Sequence, residues 1–396
     1  MRLLHRSALA ALAASAVLAS ATPAAAHGEA IRAKQWHLGF LKIAQAHQIA
    51  QGQGITVAVI DTGVADHPDL TGNVLNGVDV IKGGTGNGRA DDDGHGTGMA
   101  GIIAAHGHGT NNRDGALGIA PKAKILPIRM SVGKGSAAVE GGDVPVAEGI
   151  RWAVQHGAKI INISQSVGDI ETLRAVNEAQ AAGVLIFAAA GNTDAHDNGV
   201  QVPGRYPWAV AVGGLDQQGN HLSTSVTGDE VELSAPAKTI YSDSRGGIWR
   251  YGTGTSDATA IVSGVAALVW SKFPQLTAAE VLHRLEATAT DKGAPGRDPE
   301  YGFGAIDPIK ALTAEVAPSA SPSKASPLPT FSPRPSEAAV EPPSTGNVGL
   351  LVGLGVGGVV LLAIIALVLF LALRPRRSTG PPAGPPPPTG PNGPRP

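Results

Sequence analysis

The chain has 396 residues, 16% of them charged, and a formal net charge of −2. That balance carries no basic footprint for nucleic acid. The absence of cysteine excludes a disulfide framework, a thiolate metal site and a Cys nucleophile. The length allows one large domain with appendages, or two domains. Abundant Gly and Ala with few aromatics suit a tightly packed α/β layer structure.

Residues 1–26 have the make-up of a secretory signal peptide. Arg2 and Arg6 give a positive start, Ser7 to Ala21 is a short apolar run, and Ala24-Ala25-Ala26 offers a cleavage site. Residues 27–54 form an N-terminal arm. Ile55 to Ile60 is β-rich and apolar, the pattern of a buried parallel strand. It ends in Asp61-Thr62-Gly63, and in open α/β sheets working residues lie just past the carboxyl ends of strands. Asn76 to Gly94 is a polar, Gly-rich loop. Its Asp91-Asp92-Asp93 run has no calcium-ligand spacing and reads as a solvated acidic face. Gly94-His95-Gly96-Thr97 opens a helix of small residues running to Ala105. His106 and His108 lack the carboxylate or spacing that would complete a metal set with His95.

Alternation follows. Lys124–Arg129 is strand-like, Val144–His156 helical, Ile160–Ser164 a strand, Ile170–Ala182 a helix and Val184–Ala190 the most apolar strand. This spacing argues for a doubly wound, mostly parallel sheet with helices on both faces. The last of these strands runs into Gly191-Asn192, which puts an amide donor at a strand's carboxyl end. Ala209–Gly213 is a short strand, while Val231–Ala235 and Ile248–Tyr251 read as antiparallel pieces. Gly252-Thr253-Gly254-Thr255-Ser256 then opens a long Ala- and aliphatic-rich helix, stopped by Phe273-Pro274. A serine there could be a plain N-cap, or a nucleophile beside free N–H groups and a positive dipole end. Thr277-Ala278-Ala279-Glu280 is a capping box, and Asp307–Ala314 a last short helix.

Residues 317–347 are rich in Pro, Ser and Ala, an extended linker. The uncharged stretch 348–373 would make a helix of ~39 Å, enough to span a ~30 Å hydrocarbon core with tilt. Arg374, Arg376 and Arg377 follow it, which places the Pro-rich tail 374–396 in the cytoplasm and the globular part outside. Pro343-Ser344-Thr345-Gly346 is similar to a sortase sorting core. Pro342 stands where Leu belongs, and residues 378–396 follow the arginines, so a retained span is the reading taken.

Four motifs appear in order: Val59-Ile60-Asp61-Thr62-Gly63, Gly94-His95-Gly96-Thr97, Ala189-Ala190-Gly191-Asn192 and Gly254-Thr255-Ser256. On these the chain resembles the subtilases, the subtilisin-like serine proteases, over roughly Gly54 to Ala314. The order Asp, His, Ser is theirs. The resemblance implies a bacterial peptidase domain at 55–316 that hydrolyses peptide bonds through an acyl-enzyme. Its triad would be Asp61, His95 and Ser256, with Asn192 in the oxyanion hole and substrate paired along Ser164, Gln165 and Ser166. The short arm, Pro-rich linker and C-terminal span resemble the mycosins of type VII secretion. That implies a polypeptide substrate, a single-pass place in the cell membrane and secretion-system components as partners. No cofactor is expected; structural calcium stays open, with no site assigned. The chain also departs from the family. Asp257-Ala258-Thr259-Ala260 follows the serine where Met-Ala-Ala-Pro or Phe-Ala-Ala-Pro is usual. Gly98 stands in place of a common second His, and Gln165-Ser166 in place of a Leu-Gly pair. A catalytically silent subtilase fold, serving as a scaffold, is the alternative.

Overall fold

The computed structural model describes residues 31–131, 133 and 145–318. The expected signal peptide, membrane span and tail, and the linker beyond residue 318, lie outside the described residues. Among the described residues no helix is long and apolar enough to cross a membrane.

A seven-stranded sheet organises the molecule, in the order β2-β3-β1-β4-β5-β6-β7. Its strands are β1 (Thr56–Asp61), β2 (Val78–Asp79), β3 (Lys124–Arg129), β4 (Ile160–Ile163), β5 (Leu185–Ala189), β6 (Ala209–Leu215) and β7 (Val231–Pro236). Every neighbouring pair is parallel. β4 and β5 are buried at every position, which is why they read as unbroken apolar runs rather than alternating ones. The strand order reverses beside β1, between β3 and β4. That is the switch point at which open α/β sheets place their ligands.

Two apolar layers cover the sheet. One face carries α3 (His95–Ala104) and α6 (Thr255–Lys272), the other α4 (Val146–Gln155) and α5 (Ile170–Ala181). Asp257 to Trp270 of α6 is buried throughout. A helix apolar all round belongs inside a protein, and here it lies against β4, β5, β6 and β7. Glycines allow the close approach: a side chain on Gly264 would meet Ile119 Cβ at 2.6 Å. The remaining elements are α1 (Trp36–Phe40), α2 (Ile43–Ala46), α7 (Ala278–Thr288), α8 (Pro308–Thr313) and a hairpin, β8 (Ile240–Asp243) with β9 (Trp249–Gly252).

Three expectations are corrected. Val231–Pro236 is not antiparallel: it joins β6 in parallel, because the connection 216–230 is long enough to carry the chain back before it re-enters the sheet. The partner of the antiparallel β9 is β8, not Val231–Ala235. The arm is more than a lead-in, since α1 and α2 dock with Leu41, Ile43 and Ala46 buried in the main core. The capping box at Thr277 and Glu280 forms as expected at the start of α7.

Candidate active site

Asp61 is the last residue of β1 and is fully buried. Its Oδ1 lies 2.8 Å from His95 Nδ1 and accepts further hydrogen bonds from Thr62 N at 2.7 Å and Gln165 Nε2 at 3.2 Å. Burial would raise this carboxyl. The His95 charge and these hydrogen bonds outweigh burial and hold it below the usual carboxylate range. Burial in turn would lower His95, but the Asp61 charge outweighs it and the imidazole is raised.

His95 opens α3. The helix can dock this closely because residue 96 is Gly: a Cβ there would lie 2.1 Å from Gly63 O. Asp91 completes the mount. Its carboxylate accepts from Gly94 N at 2.7 Å, Thr97 N at 2.9 Å, Thr97 Oγ1 at 2.6 Å and Thr62 Oγ1 at 2.9 Å. Thr62 Oγ1 itself accepts from Gly96 N at 2.9 Å. So Asp91 is buried, not solvated, and it binds the first turn of α3 to the Asp61-Thr62 corner. The signal available in the sequence was an Asp shortly before a helix start, hidden by its acidic neighbours. Of those, Asp92 does face outward, to Arg129.

Ser256 is the second residue of α6, after Thr255, with Gly254 at the N-cap position. It is therefore not a side-chain N-cap. Its hydroxyl donates to Ser164 O at 3.0 Å rather than to His95. A chain of hydrogen bonds runs from Ser263 Oγ to Asn162 Oδ1, from Asn162 Nδ2 to Ser164 Oγ, and from Ser164 Oγ to Ser256 O. It ties α6 to the end of β4. Asn192 follows β5, and its Oδ1 accepts from Thr255 N at 2.9 Å. That bond turns its amide toward the same helix end. Gly254 leaves the room, since a Cβ there would sit 3.3 Å from Asn192 Oδ1. The Gln165 amide rests on Asp61, and its side chain is half-buried. Ser166 is exposed.

This Asp–His pair and serine-bearing helix end, set at the carboxyl ends of β1, β4 and β5, have a known counterpart. Residues 52–304 match the Subtilase family. The chain belongs to the subtilase family. It is 40% identical to a thermostable alkaline protease of Halalkalibacterium halodurans, over 68% of this chain and 71% of that one. It is 36% identical to Subtilisin Savinase of Lederbergia lenta, over 69% and 96%. Among solved structures it is similar to MycP1 from Mycobacterium smegmatis, with a TM-score of 0.63 and 32% identity over 71% of this chain and 85% of that one. The MycP3 protease of the type VII (ESX-3) secretion system matches with a TM-score of 0.60 and 34% identity, over 71% and 88%. This subtilase is a subtilisin-like serine protease whose structural neighbours are mycosins.

Among the described residues one group could hold a metal: His67, Asp69 and Asp243, buried, with ligand atoms within 4.8 Å of one another. Most of those atoms are engaged. Asp69 N donates to His67 Nδ1, and the Asp69 carboxylate accepts from Ala116 N, Trp249 Nε1 and His108. Asp243 accepts nothing; burial and the neighbouring Asp69 push its carboxyl well above the usual range, toward the neutral acid.

Proposed function

We propose that this subtilase is a membrane-tethered, extracytoplasmic serine endopeptidase, with Asp61, His95 and Ser256 as its triad and Asn192 as an oxyanion donor. The observation that carries the reading is the 2.8 Å bond between Asp61 and His95, facing a helix that begins at Thr255-Ser256. In the proposed reaction His95 Nδ1–H donates to Asp61, leaving the Nε2 lone pair for Ser256. The hydroxyl rotates from Ser164 O to His95, gives up its proton and adds to the scissile carbonyl. Asn192 Nδ2–H and the Ser256 backbone N–H, free of an intrahelical acceptor, receive the oxyanion. Collapse expels the amine with the proton from His95 and leaves the acyl-Ser256 ester. Water then reverses the sequence. These steps use no cofactor. Polypeptide substrate would lie along Ser164, Gln165 and Ser166 as an added strand.

The proposed arrangement is a signal peptide at 1–26, an arm at 27–54 and the peptidase domain at 55–316. A linker at 317–347, a membrane span at 348–373 and a cytoplasmic tail at 374–396 complete it. The mycosin neighbours, described as type VII secretion proteases, support components of such a system as partners. A silent scaffold is the second reading. It is favoured by the Ser256 hydroxyl bonding to Ser164 O and by the buried carboxyl of Asp257 next to it. A fluorophosphonate probe separates the two: wild type labels and Ser256→Ala does not if the chain is an enzyme. Folded wild type that stays unlabelled leaves only the scaffold.

A further inference from the structure

Two glycine-lined gaps meet where α3, the β8–β9 hairpin and the start of α6 come together. A Cβ on Gly98 would fall 2.5 Å from Arg250 Nη1 and 3.2 Å from its Cδ, so the missing second histidine of α3 is the space the Arg250 side chain fills. Gly98 lies three residues after His95, on the same side of the helix. A Cβ on Gly252 would fall 2.6 Å from Asp257 Oδ2 and 2.8 Å from Arg250 Nη2. Asp257 is 2% exposed, next to Ser256 in the chain. Arg250 Nη1 and Asp257 Oδ1 are both buried without a hydrogen-bond partner. A half-buried guanidinium and a buried carboxyl group, each with a buried polar atom left unpaired, are costly to stability. The charges of both reach His95.

Resting on the catalytic reading above, we propose that Arg250 and Asp257 are positioning residues for the base: opposite charges near His95, one half-buried and one buried, whose balance decides how readily the imidazole gives up its proton. Three charged groups act on His95. Asp61 and Asp257 favour the imidazolium, and Arg250 opposes it. Asp257 is itself pushed up to about 6 by burial, against the pull of Arg250 and His95. Its charge therefore appears near the pH at which the base is needed. The unusual Asp after the nucleophile and the unusual Gly in the helix are thus one device.

The test is a histidine NMR titration of the full-length protein, with the His95 signal assigned by its loss in His95→Gln. Asp257→Asn removes a charge that favours the imidazolium, so the His95 midpoint falls, by about half a pH unit for a screened buried charge. Arg250→Gln raises it by a similar amount, and Arg250→Lys restores the wild-type midpoint. Midpoints that stay put in folded variants, or move in the same direction for both charge removals, overturn the proposal. This readout does not need turnover. Failure of the fluorophosphonate labelling would strike the catalytic reading and this proposal with it, whereas a labelled protein with unmoved midpoints would strike this proposal alone.

Discussion

At Asn192 the Oδ1 takes Thr255 N. In the proposed reaction its Nδ2 would serve the oxyanion. Asn192→Ala should lower kcat by about 10²- to 10³-fold with little change in KM, a magnitude borrowed from a subtilisin relative. Steady-state kinetics on a peptide substrate checks it, and a pure KM effect would argue against the role. The Asp61–His95 pair makes a second prediction. The Asp61 carboxyl is lowered, so its contribution to stability is present above the ordinary 3.8 and fades as pH falls through the folded value. His95 is raised, so its contribution is full below the ordinary 6.5 and fades as pH rises through the folded value. The thermal-stability advantage of wild type over His95→Gln should therefore peak between about pH 4 and 6.5 and shrink on both sides. An advantage that is flat with pH would contradict the coupling. If His95 is the base as proposed, it must be neutral to act, and the acid limb of kcat/KM should lie above 6.5.

The helix start of α3 depends on one buried carboxylate. Asp91→Ala would strip acceptors from Gly94 N, Thr97 N and the Thr62 and Thr97 hydroxyls at once. Leaving those donors unpaired should cost about 2–4 kcal/mol and lower Tm by about 5–10 °C. Activity should fall further than stability, because His95 rides on the same turn. Calorimetry beside probe labelling would show it; a variant with normal Tm and normal labelling would remove Asp91 from the mount. At this scale the sequence was legible where a pattern is local. Apolar runs mark β4 and β5, the small-residue run marks α3, and the Ala- and aliphatic-rich run marks α6. It was illegible where the deciding partner is distant in the chain. Asp91 looked like its solvated neighbour Asp92 until Thr62 and Thr97 closed around it. The β7 direction was missed because an apolar strand has no sign of its own; the preceding connection supplies the direction.

For the whole molecule the sheet order does the assembling. β1, β4 and β5 are adjacent, so their carboxyl ends bring Asp61, Ser164 and Asn192 to one rim, while α3 and α6 start there with His95 and Ser256. The proposed tether gives a prediction at this scale. Deleting residues 348–373 should move the protein from the membrane fraction to the soluble fraction with labelling of Ser256 retained. Continued sedimentation with membranes would refute a single C-terminal anchor.

The sequence by itself determined the chemistry on offer and the layer architecture. Residue type at a strand end or helix start is local information, and apolar period is written along the chain. Tertiary structure alone decided which donor meets which acceptor. It buried Asp91, turned Gln165 onto Asp61, left the Ser256 hydroxyl on Ser164 O, and brought Arg250 and Asp257 together at Gly252. Burial and partnership depend on distances between residues far apart in the chain, and no local pattern contains those distances.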